Sequence, residues 1–142
     1  MTTITASLTD GTVTQITNGR HQWTSDEPLA AGGTDRGPNP YEMLLGSLAA
    51  CTCVTIKLYS RHKNIPVRAV HATFRFDRIH AEDCADCDDD AKGFIDHIES
   101  DIRIEGDFTD AQRKRLAEVA VRCPVHKTLA KGVHYRDNVE VG

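Results

Sequence analysis

The sequence predicts a single compact unit that mixes antiparallel strands with helices, and three observations carry that reading. The first 25 residues hold two hairpin dipeptides, Asp10-Gly11 and Asn18-Gly19, between short β-prone runs such as Thr12 to Thr17. A helix start at Asn39-Pro40-Tyr41-Glu42 opens a long apolar run. Beyond Pro66, alternating apolar positions give way to further helix-capping signals. A length of 142 residues suits one domain, 1–142, with a real core.

In chain order, the N-terminal runs predict a three-stranded antiparallel meander. Residues 25–40, rich in Gly, Pro, Asp and Ala, read as a long ordered loop. Asn39 then serves as N-cap, Pro40 fits the first turn, and Glu42 reaches back in a variant of the capping box. The helix runs to about Arg61. Leu44, Leu45, Leu48, Val54, Ile56 and Leu58 leave it little polar face, so it is expected to be central and buried, in part by another subunit. Ser47, Cys51 and Thr55 share one stripe, and Cys53 lies on another face, where it reads as core filling.

Val70, Ala72, Phe74 and Phe76 alternate within a half-buried strand over 67–79, and Ile102 and Ile104 mark a second over 95–105. Between them the acidic run from Ala81 to Asp90 is expected to be exposed. Thr109-Asp110-Ala111-Gln112 is a capping-box signal for a helix carrying Leu116, Val119 and Ala120. A short helix follows from Pro124 to near Gly132, and Val133 to Val141 suggests a final strand.

Composition limits the function. A net charge of -4 argues against nonspecific binding to nucleic acid, and no uninterrupted apolar stretch reaches the roughly 18 residues of a membrane span. The opening Met1-Thr2-Thr3 lacks the pattern of a signal peptide, so a cytoplasmic location is expected. Five cysteines in that setting point to reduced, catalytic or metal-binding thiols rather than a disulfide framework.

Two of them stand out. Cys123, in Arg122-Cys123-Pro124-Val125-His126, is placed to cap a helix whose first residue is Pro124. Cations and a helix N-terminus both favour a thiolate. His126 follows by three positions, near enough on a helix to tune that thiol or share its proton. Cys51 lies inside the apolar helix. Cys84 and Cys87 have the spacing of half a zinc site or of a dithiol, and His80 is close enough to join. A matching second half is absent, so they are weak metal candidates and no metal is expected; the acidic flanks would raise their thiol pKa values, which argues against a reactive dithiol.

Gly37-Pro38-Asn39-Pro40-Tyr41-Glu42-Met43-Leu44-Leu45, the small residues leading to Cys51, and Arg122-Cys123-Pro124-Val125-His126 together resemble the OsmC/Ohr family of thiol-dependent peroxidases and their relatives. The likeness covers nearly the whole chain. It implies an α+β fold with antiparallel sheets around a long central helix, in an intertwined homodimer. It also implies that Cys51 is the peroxidatic cysteine, oxidised to a sulfenic acid by a hydroperoxide, and that Cys123 resolves it as a disulfide. An external dithiol would reduce the pair, with no cofactor, in protection against oxidative or osmotic stress. The family's catalytic arginine resembles Arg20, with Arg36 behind it. The carboxylate that holds that arginine stands directly after the Asn-Pro in well-characterised members; here Tyr41 is there, and the acid is Glu42, about 100° further round the helix. The sequence is closer to the OsmC-like branch with Pro-Tyr-Glu. The alternative is a non-peroxidase member that binds a small ligand beside an unreactive, buried Cys51.

Overall fold

Asp-Gly and Asn-Gly turns fold the first strands back on themselves. In the computed structural model, which describes residues 1–84, 90 and 92–142, β1 (Thr5–Ser7), β2 (Thr14–Thr17) and β3 (Gln22–Ser25) form an antiparallel sheet in that order. Ile16 faces Trp23 across it. Gly19 adopts φ +88°, which few other residues tolerate, and the Asn18 side-chain carbonyl accepts the N–H groups of Arg20 and His21 at 3.0 and 2.8 Å. The chain divides into two compact units, residues 1–46 and 47–142.

In the first unit the expected long loop is organised by one carboxylate. Asp26, 2% exposed, accepts the hydroxyls of Thr12 and Thr34, both at 2.6 Å, and the N–H groups of Glu27, Thr34 and Arg36 at 2.8, 3.2 and 3.1 Å. The Thr12 and Thr34 hydroxyls, with the backbone donors of Arg36 and Glu27, outweigh burial and hold its carboxyl well below the usual range. The loop also presses on the sheet. A Cβ at Gly33 would meet the Glu27 carbonyl and one at Gly37 the Thr24 carbonyl, so neither position has room for a side chain.

Helix α1 (Pro40–His62) starts as the sequence predicts. Asn39 Oδ1 accepts the Glu42 N–H at 2.9 Å, and Glu42 Oε2 accepts the Asn39 N–H at 2.8 Å. By length and composition α1 could cross a membrane, and it is the one such helix among the described residues. Leu48, Thr52, Ile56 and Ser60, four apart, are nevertheless its buried stripe. In the second unit Ile56 joins Ile65, Val67, Leu116 and Ala120 in a core flanked by Tyr59, Val70, Ile102, Ile104 and Phe108. Burial all round α1 is not observed: Val54 and Leu58 are 54% and 57% exposed, because one chain covers only one side of it.

β4 (Val67–His80) and β5 (Phe94–Gly106) pair as a long antiparallel hairpin, with Ala72 opposite Ile102 and Phe76 opposite Ile98. Ion pairs run along it: Arg68–Asp107 and Arg75–Asp101, at 3.1 and 2.6 Å, stand away from the Phe74–Phe76 face, and Arg78–Asp96, at 3.0 Å, ends that face. Ala81–Asp83 form a single 3-10 turn; most of the acidic run beyond it lies outside the described residues. α2 (Asp110–Ala120) has the expected capping box from Thr109 and Gln112. α3 (Pro124–Lys131) has Cys123 as its N-cap, as predicted. The final strand over 133–141 is not formed. These residues are exposed and pair with no strand among the described residues, and an alternating pattern without a ladder partner does not make a strand.

Candidate thiol site

The second unit brings Cys51, Cys123 and His126 together. Cys123 is fully buried, and Pro124 behind it opens α3 with the φ a helix needs. The His126 N–H donates to its sulfur at 3.3 Å, and the Thr52 hydroxyl, the Cys51 thiol and the Val125 N–H are near it. Burial pushes the Cys123 thiol up, but these donors outweigh burial and hold it below the ordinary thiol value. Cys51, half-buried, therefore lies within hydrogen-bonding reach of the cysteine to which the resemblance pairs it.

The His126 ring is fixed by a second contact. Nδ1 lies 2.8 Å from the Val121 carbonyl, which can only accept, so Nδ1 carries the hydrogen and Nε2 of the neutral ring is an acceptor. The same residue borders a cavity of about 160 Å³ lined by Leu48, Thr52, Phe74, Ile102 and Leu129 among others. An open groove of about 420 Å³ between β5 and α2 shares Ile102, Ala120 and Val121 with it and adds Phe108 and Arg113. Of the residues around the two cysteines, Thr52 and His126 line the smaller cavity.

Arg20, exposed in the β2–β3 turn, and Glu42, whose Oε2 closes the capping box, belong to the unit 1–46, as does Arg36, whose N–H binds Asp26. Cys53 is half-buried with Sγ 4.0 Å from the Val70 carbonyl. Cys84 is disulfide-bonded, and Cys87 lies outside the described residues. His80 packs edge-on against Phe94, at 5.5 Å between ring centres, and its Nδ1 accepts the Glu82 N–H at 3.4 Å. Among the described residues no group of three or more His, Cys, Asp or Glu side chains could hold a metal ion. Sequence reasoning missed Thr52. The signal was present, since Leu48, Thr52, Ile56 and Ser60 recur every four residues and Thr52 is the one polar member beside a cysteine.

A family model described as OsmC-like protein matches residues 33–136. No curated protein matches the chain in sequence. Solved structures share the fold. An OsmC-like protein of Mycoplasma pneumoniae is 25% identical with a TM-score of 0.70, over 92% of this chain and 87% of its own. The organic hydroperoxide resistance protein OsmC of Legionella pneumophila is 20% identical with a TM-score of 0.62, over 89% and 87%. The organic hydroperoxide resistance protein OhrB of Bacillus subtilis is 20% identical with a TM-score of 0.58, over 89% and 88%.

Proposed function

Since the chain belongs to the OsmC-like family, we propose that it is a cysteine-based peroxidase reducing organic hydroperoxides. The observation that carries this reading is the contact between the Cys51 and Cys123 side chains beside an apolar cavity. The Cys51 thiolate attacks the terminal peroxide oxygen. The O–O bond breaks, the alkoxide leaves and takes up a proton, and Cys51 becomes a sulfenic acid. The Cys123 thiolate then attacks the Cys51 sulfur and displaces hydroxide, giving a disulfide and, after protonation, water. An external dithiol restores both thiols by exchange. Arg20 is assigned the cation that steadies the attacking sulfur, with Glu42 as its carboxylate, and His126 a proton-handling place at the cavity rim. No metal, flavin or haem takes part.

The protein is proposed to act in the cytoplasm, in defence against oxidative or osmotic stress, as a homodimer. The exposed apolar stripe of Val54 and Leu58, Phe94 at 72% exposure and the unpaired segment 133–141 support a second copy as cover. The Glu42 capping bond favours a second reading, in which that acid is structural and the cavity binds a small apolar ligand beside an unreactive Cys51.

Peptide mass spectrometry of reduced protein after one equivalent of an organic hydroperoxide, with hydrogen peroxide in parallel, separates the two. Rapid loss of two hydrogens mapped to Cys51–Cys123 is expected. An unchanged mass at those residues would leave the ligand-binding reading standing.

A further inference from the structure

Helix α2 lays one stripe along the groove of about 420 Å³. Arg113, with Leu116, Ala117 and Ala120 three, four and seven positions further on, lines it from the helix side, and Ile102 and Ile104 line it from β5. Phe108 stands at the same end as Arg113. Its ring lies on the bare Cα of Gly106, where a Cβ would meet that ring and the Pro66 carbonyl, so glycine at 106 is what gives the ring its place. Toward Val121 the groove joins the smaller cavity, with which it shares Ser100, Ile102, Ala120 and Val121.

The groove carries a single charge. Arg113 is the one ionisable residue that lines it, and its guanidinium carbon stands 5.7 Å from the centre of the Phe108 ring. It makes no ion pair among the described residues, whereas Arg115, on another side of the same helix, holds Glu118 at 2.7 Å. The helix gives it no compensation either, since the N-terminal end of a helix favours anions. A permanently charged fork at one end of an apolar channel is complementary to a carboxylate that carries a long apolar body. From Arg113 to Val121 the helix rises about 12 Å, which about ten methylene groups cover.

We propose that this groove binds a free long-chain carboxylate of about ten to twelve carbons. Arg113 holds the acid group, the chain lies against Ile104 and Leu116, and its far end reaches the cavity beside Val121. The site asks nothing of the sulfurs, so it stands or falls apart from the peroxidase reading. A second copy of the chain suits the groove less well: the exposed apolar residues assigned to such a contact, Val54, Leu58 and Phe94, are not among those that line it.

The test titrates the full chain with decanoate labelled with carbon-13 at the carboxyl carbon, and with 1-decanol as the uncharged chain of equal length. Saturable one-to-one binding of decanoate is expected by calorimetry, with a shift of the carboxyl resonance. Arg113→Gln should weaken decanoate about tenfold and remove that shift while changing decanol less than about twofold, and Arg113→Lys should keep part of the affinity. Ala117→Trp, or Ala117→Leu if the larger ring disturbs folding, fills the groove from an exposed position and should abolish binding of both. Absence of saturable decanoate binding to the parent protein overturns the proposal. So do equal losses of acid and alcohol in Arg113→Gln, or decanoate binding that survives the filled groove. A parent that ignores decanoate, yet passes from dimer to monomer in sedimentation when Ala117 is replaced, would give the groove to a second copy and overturn it as well.

Discussion

Joining Cys51 to Cys123 should make the protein more stable, by an amount the chain's geometry sets. The bond would close a loop of about 70 residues in the unfolded chain, and the loss of chain entropy for such a loop is worth about 4 kcal/mol at 25 °C. Engineered bonds often return less because the native backbone must move to make them. Here the two side chains already meet in the reduced protein, so little should be lost. With a urea dependence of about 2 kcal/mol per molar, the unfolding midpoint should rise by about 2 M on oxidation. The comparison is made in a Cys84→Ser, Cys87→Ser background, so that reductant acts on this pair alone. Cys123→Ser protein, with the pair broken, should show no such rise. A mapped Cys51–Cys123 bond with an unchanged or lower midpoint would mean that the cysteines are dragged together, and would refute the contact on which the mechanism rests.

Other consequences can be checked separately. Asp26→Asn puts an amide N–H₂ against donors that the carboxylate accepts, so the melting temperature read from fluorescence of Trp23, the chain's only tryptophan, should fall. The folded Asp26 carboxyl is depressed, so its contribution is complete above the unfolded value near 4 and is lost as pH falls toward the folded one. The gap between parent and variant should therefore narrow below about pH 4, and a gap that widens there contradicts the assignment. Phe74→Trp fills part of the cavity wall; it should slow reaction with a bulky organic hydroperoxide about tenfold in stopped-flow assays while changing hydrogen peroxide less than threefold. Glu42→Ala opens the capping box and should cost about 1 kcal/mol in urea unfolding, with Glu42→Gln recovering most of it; equal losses would deny the cap.

What the sequence disclosed follows the range of the interactions involved. The start of α1 was legible because Asn39 and Glu42 complete each other within four residues. The hairpin dipeptides, the alternation in β4 and the Thr109 box are equally local, and their elements appear within about two residues of the expected bounds. The role of Cys123 as N-cap was readable from Pro124 alone. The knot around Asp26 was not, since its donors come from positions 12, 27, 34 and 36 and no local pattern unites them. Thr52 stayed hidden between two more conspicuous cysteines because its partner lies 71 positions away in the chain. The expected strand over 133–141 failed for the converse reason: alternation describes a surface, while a strand needs a neighbour to bond to.

The charged ladder on the β4–β5 hairpin does more than add solubility. Each exposed pair is worth little alone, but Arg78 opposite Asp96 and Arg75 bonded diagonally to Asp101 fit only one alignment of two strands that extend over about 45 Å. Sliding either strand by one residue would separate these partners and turn Phe74 and Phe76 to the charged side. The hairpin is thus indexed along its length like a toothed rack. Inserting or deleting a single residue in either strand should harm folding far more than any one substitution on its outer face.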